Sequence, residues 1–166
     1  MESFQLAVHV SKLFLCSTVA SYVDLINVMT YDMHGSWDGC TGMNAPLYSG
    51  SGSSYTKFSV DGSINWWQRQ GAPSSKLVVG MAAFGRSFTL ANPSNNGVGA
   101  TIVGPGNGGP FLDQSGTLGY NEICHLMKSG GWTRVGNHNK KFPMYTNIIN
   151  GLAMMTLNRF SSNCNM

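Results

Sequence analysis

The chain has 166 residues, enough for one domain plus a small insertion. Charged residues make up only 10% of it, the net charge is +3, and its lysines and arginines are scattered, so no nucleic-acid partner is expected. No run is long and apolar enough to span a membrane, no C-x-x-C pair occurs, and His9, His34, His125 and His138 show no ligand spacing. No membrane, metal or cofactor partner is therefore expected.

In chain order, residues 4–20 are fairly apolar, but Glu2, His9 and Lys12 spoil the basic start and unbroken core of a secretory signal. Residues 11–23 read as a helix. Leu25, Ile26, Val28 and Met29 then form a continuous apolar run, as in a parallel strand covered on both faces, and the run stops at Tyr31-Asp32. Polar residues at the carboxyl end of such a strand are where α/β folds place their sites. A long Gly/Ser-rich loop, 35–55, carries Trp37 and Tyr48, and loops of that length are usually functional or disordered.

Asp61 reads as the N-cap of a helix reaching about Gln70, with Ile64 and Trp67 on one face and Gly71-Ala72-Pro73 as its stop. Trp66 and Trp67 are expected to pack. Residues 76–81 read as a second short buried strand, so strand, helix and strand repeat as in a parallel sheet with right-handed crossovers. After Leu90 the pattern changes. Residues 92–116 are rich in Gly, Asn and Pro, with 98–103 as a strand candidate; 119–129 read as a helix stopped at Gly130-Gly131. Residues 104–109 match G-x-G-x-x-G formally, but the prolines and the lack of a following helix make them a plain turn. Residues 151–157 are a third apolar strand candidate.

Met29-Thr30-Tyr31-Asp32 resembles the M-x-Y-D strand of family 18 glycoside hydrolases, the chitinases and their catalytically dead, chitin-binding relatives. Thr41-Gly42-Met43-Asn44-Ala45-Pro46-Leu47-Tyr48 is similar to that family's T-G-x-N-S-P-L-Y loop, and Phe84-Gly85-Arg86-Ser87-Phe88-Thr89-Leu90 to its Y-G-R-S-F-T-L. Gly109-Pro110-Phe111, Gly119-Tyr120-Asn121-Glu122-Ile123-Cys124 and Gly130-Gly131-Trp132 resemble its insertion domain. The resemblance implies an α/β fold: a partial (β/α)8 barrel of about the last three strands carrying an α+β insertion. The expected division is 1–90 for the barrel part, equivalent to strands six and seven, 91–145 for the insertion, and 146–166 for a degraded last barrel strand and tail. At 166 residues the chain is short of the roughly 250 of a closed barrel.

The family's catalytic run, D-x-x-D-x-D-x-E, does not occur; the only glutamates are Glu2 and Glu122, and neither sits in such a run. Hydrolysis in the family is substrate-assisted: the sugar's own 2-acetamido oxygen attacks the anomeric carbon while a glutamic acid protonates the leaving oxygen. The resemblance implies that Tyr31 bonds the acetamido group, that Asp32 bonds the sugar or the intermediate, and that Met29 packs beneath the acidic cluster. It also implies that Trp37 stacks on a pyranose face and that Arg86 donates to a neighbouring sugar, although an ion pair is an equal reading for Arg86. No catalytic residue is expected in this chain, and a proton donor is ordinarily worth about 10²–10⁴-fold in rate. The expected function is chitin or chitooligosaccharide binding without hydrolysis, in an extracellular setting. The alternatives are a non-binding product that self-associates through open sheet edges, or hydrolysis with an acid supplied by another chain. Phe84 replaces the family's Tyr, and the tryptophan of its last strand is absent. Four cysteines allow three pairings; the resemblance selects Cys124 with Cys164. Tyr48 and Trp132 are expected to be structural.

Overall fold

A computed structural model describes residues 3–7, 16–49, 58–137, 142–147 and 154–156. Three strands, β1 (Ser3–Ala7), β2 (Leu25–Met29) and β3 (Leu77–Val79), form a parallel sheet in that order. The third parallel strand is thus β1, from the apolar amino-terminal stretch, and its register sets Ser3 opposite Leu25. Helices α1 (Cys16–Tyr22) and α2 (Val60–Arg69) follow β1 and β2, as crossovers require.

Alternation along β2 decides which face is sealed. Ile26 and Val28 are buried with Cys16, Ala20, Trp67 and Ala72, and Ile64 and Leu77 pack against them. The other face, Leu25, Asn27 and Met29, is only half-buried, so β2 is not covered on both sides as its apolar run suggested. The same correction holds for β3. It lies at the edge of the sheet, and Val78 and Val79 are 40% and 45% exposed.

Helix α2 begins two residues earlier than expected. Ser59, not Asp61, is the N-cap: its backbone is extended and its hydroxyl accepts from Gly62 N–H at 3.0 Å. Asp61 instead lies in the first turn, where a negative charge suits the helix dipole. Trp67 is buried as expected, whereas Trp66 is partly exposed and meets it edge-on at 5.8 Å. Lys76 ties the sheet to α1 by donating to the carbonyls of Ala20 at 2.6 Å and Val23 at 2.9 Å, filling carbonyls that the helix end leaves open.

The second sheet is antiparallel, ordered β5 (Ile102–Pro105), β4 (Phe84–Leu90), β9 (Met154–Thr156), β8 (Phe142–Asn147) and β7 (Trp132–Asn137), with β6 (Thr117–Gly119) also paired to β4. The change from parallel to antiparallel pairing falls between Val79 and Phe84, ahead of the compositional change at residue 90. The expected last barrel strand is β9, but it pairs antiparallel with β4 and β8. Only residues 148–153 separate β8 from β9, too few for a parallel crossover, which needs a dozen or more. Helix α3 (Tyr120–Ser129) matches its expected span and ends before Gly130-Gly131. Leu118 and Ile123 form a small core with Tyr120, Leu126, Met127 and Trp132. Phe88, Leu90, Ala100 and Ile102 form another.

The loop after β2 is sewn to the segment before β5. Thr41 N–H donates to Ala100 O at 2.9 Å, Gly99 N–H to Thr41 O at 2.8 Å, and the Thr41 hydroxyl to Gly97 O at 2.6 Å. No disulfide joins two of the described residues, and the expected Cys124–Cys164 pairing reaches outside them. Cys124 is buried on α3, and Cys164 lies outside the described residues.

Candidate functional site

The carboxyl ends of β2 and β3 are fastened together before the site begins. Gly80 N–H donates to Val28 O at 2.8 Å, and the buried Thr30 hydroxyl donates to Gly80 O at 2.6 Å. Position 80 must be glycine, because a Cβ there would stand 2.7 Å from Val28 O and 2.9 Å from the Tyr31 ring. The chain then presents Tyr31 and Asp32 above the sheet, with Met29 half-buried at the end of β2 below them.

Asp32 takes the left-handed backbone conformation, φ 58°. Its carboxylate Oδ1 accepts from Arg86 Nε at 2.9 Å and Nη2 at 2.7 Å. The third nitrogen, Nη1, donates to the Thr117 hydroxyl on β6 at 2.7 Å. Arg86 therefore does form the ion pair that was one of its two readings. It keeps two N–H groups in reserve, since a guanidinium carries five. Its side chain is 19% exposed and that of Asp32 is 38% exposed, so the pair itself contributes only about 1 kcal/mol to stability. Asp32 Oδ2 has no partner among the described residues.

The Arg86 guanidinium also lies 5.2 Å from the Trp37 ring centroid and 5.4 Å from that of Phe84. Tyr31 meets Phe84 edge-on at 5.7 Å. Trp37 belongs to a short 3₁₀ turn, Ser36–Asp38, and is 59% exposed despite its size. Its ring rests against Gly35, where a Cβ would come within 2.3 Å of it. The turn is braced by Asp38, whose Oδ2 accepts from Gly35 N–H at 3.2 Å and lies 3.0 Å from His34 Nδ1. Four of the five expected residues, Tyr31, Asp32, Trp37 and Arg86, are thus joined by direct contacts or through Phe84. Together they offer an exposed aromatic surface, a carboxylate oxygen and guanidinium donors, a set suited to a polyhydroxylated ring. Tyr48 was expected to be structural, yet it is 54% exposed, while Trp132 does pack in a core.

Sequence reasoning missed Thr117, Asn44 and the Asp38 brace. Asp38 stands four residues after His34, and Asn44 stands in the T-G-x-N segment 41–48, so each carried a signal; Thr117 reaches the site from a distant strand, and no spacing announces it. Among the described residues the one glutamate is Glu122, which is fully buried. Its Oε1 accepts from Phe111 N–H at 2.8 Å and Leu112 N–H at 2.7 Å, and its Oε2 from Gly119 N–H at 2.8 Å. Burial pushes this carboxyl up, but the three backbone donors outweigh burial and hold it below its ordinary value. An ionised, sequestered carboxylate cannot act as a proton donor. Among the described residues no group of His, Cys, Asp and Glu could hold a metal ion, and no helix is long and apolar enough to cross a membrane.

Comparison with known proteins identifies the family. Probable chitinase 10 of Drosophila melanogaster is 46% identical over 114 residues, 69% of this chain and 5% of that protein. The Group IV chitinase of Ostrinia furnacalis superposes with a TM-score of 0.84 at 34% identity, over 95% of this chain and 44% of that one. Human YKL-39, described as a pseudo-chitinase with retained chitooligosaccharide-binding properties, superposes with a TM-score of 0.83 at 29% identity, over 95% of this chain and 43% of its own. This chain spans less than half the length of the proteins it matches. The profile of the glycosyl hydrolases family 18 matches residues 5–158, and the chain belongs to that family.

Proposed function

We propose that the chain binds chitooligosaccharides without hydrolysing them. The observation that carries this reading is the Arg86 guanidinium, held by Asp32 and Thr117 beside the exposed face of Trp37. In this reading Trp37 stacks on one pyranose ring. Tyr31 and Asp32 Oδ2 bond the acetamido group and hydroxyls of an adjoining sugar, and the spare N–H groups of Arg86 reach its neighbour. Hydrolysis is absent because the sequence lacks D-x-x-D-x-D-x-E and Glu122 is committed to backbone donors. An extracellular setting belongs to the same reading. Retention of the folded chain on chitin beads, lost on Trp37→Ala, tests the binding. Release of N-acetylglucosamine from chitotetraose by the purified chain alone would overturn the absence of hydrolysis.

A second reading is favoured by one observation. On β3, Val78 and Val79 are 40% and 45% exposed, and Met81 just beyond is 66% exposed. An apolar edge strand with open backbone groups invites another strand. Association through this edge would allow a second polypeptide to bring a catalytic acid to Tyr31 and Asp32. Sedimentation velocity distinguishes the readings: a monomer that binds sugar supports the first, and concentration-dependent assembly abolished by Val79→Lys supports the second.

A further inference from the structure

Asn44 lies in the loop between β2 and α2, is only 1% exposed, and touches both sides of the site. Its Oδ1 accepts from the backbone N–H of Asp32 at 2.9 Å, and its Nδ2 donates to the carbonyl of Phe84, the first residue of β4, at 3.1 Å. Its own carbonyl accepts from Met33 N–H at 2.9 Å. Between these bonds sits Asp32 at φ 58°, a conformation that a residue with a side chain keeps only when its surroundings enforce it.

We propose that Asn44 is the positioning residue of the carbohydrate site. Its carboxamide holds Asp32 in the left-handed conformation and fixes it to the start of β4, two residues before Arg86. The Asp32 carboxylate and the Arg86 guanidinium then stay in register although they come from different sheets. The task needs an acceptor and a donor side by side. A carboxamide has both; an ionised carboxylate accepts only, and an aliphatic side chain does neither. For its ligand this inference rests on the binding reading above, but its geometry does not.

A double-mutant cycle tests it. Asn44→Ala should weaken chitotetraose binding about tenfold, the usual consequence of losing one partner from a buried hydrogen-bonded group. It should also lower the Tm. Glycine adopts φ 58° without steric penalty. In an Asp32→Gly background, therefore, the Tm loss caused by Asn44→Ala should shrink to about half or less, the mark of two coupled positions. Equal Tm losses in the two backgrounds would overturn the proposal, leaving Asn44 as an ordinary core hydrogen-bonder. If Asn44→Ala does not fold, hydrogen exchange on the wild-type chain decides. A protected Asp32 amide supports the clamp, and exchange at the rate of an open loop overturns it. Tm coupling across the cycle, together with no heat from wild-type protein and chitotetraose, supports the clamp and removes the binding reading.

Discussion

Two carboxylates in this molecule have had opposite fates. Glu122, in the antiparallel part, is fully buried, and three backbone N–H groups engage both its oxygens. Asp32, at the end of the parallel sheet, is 38% exposed, sits on a left-handed backbone, and spends one oxygen on Arg86 while the other has no described partner. The first arrangement satisfies the group completely and makes it a staple between α3 and the 109–119 loop. The second leaves strain and an unfilled acceptor beside an exposed aromatic ring, which is how recognition sites differ from structural ones. The comparison also explains why a glutamate survives here without being a catalytic acid. Its ionised form is stabilised by backbone N–H donors that have nothing to do with substrate.

The sharpest way to break the comparison is to remove the staple. Glu122→Ala leaves one buried and two part-buried N–H groups without an acceptor and should cost about 3 kcal/mol of stability, read from the denaturant midpoint. Acid should do the same to the wild type. The folded carboxyl titrates below its ordinary value of 4.5, so as pH falls the unfolded chain takes up the proton first. Its stabilisation is therefore complete above that ordinary value and is lost as pH drops through the folded one. Glu122→Gln should remove this part of the acid dependence.

Smaller effects follow in order. Lys76→Met removes the donors to Ala20 and Val23 and should cost about 2 kcal/mol, since hydrogen bonds from a charged group exceed neutral ones. An unchanged midpoint would show that α1 needs no tie to β3. Arg86→Lys replaces a planar fork by a point charge. It should cost only about 1 kcal/mol of stability yet weaken chitotetraose binding about tenfold. Trp37→Ala should leave stability within about 0.5 kcal/mol, because the ring is mostly exposed, while abolishing retention on chitin. The two scales are thus expected to run in opposite directions, stability most sensitive at Glu122 and binding at Trp37.

Much of this was legible from local pattern. The apolar run ending at Tyr31-Asp32 announced β2 and the position of the candidate site, and the residues around Glu122 announced α3 to within a residue. What was not legible depends on distance and exposure. Asn44 and Thr117 reach Asp32 and Arg86 across 12 and 31 residues respectively. Composition cannot show that Val78 and Val79, read as buried, lie on an uncovered edge. The direction of β9 followed from the shortness of its connection to β8 rather than from its own apolar residues.

Calorimetric titration of the monodisperse, folded chain with chitotetraose tests the central claim most directly. A saturable heat that disappears in Trp37→Ala, with the Tm of that variant unchanged, is the predicted result. No heat from a sample whose near-ultraviolet circular dichroism demonstrates packed aromatic side chains would contradict it. The Asp32–Arg86–Trp37 group would then be a relic of family ancestry rather than a working site.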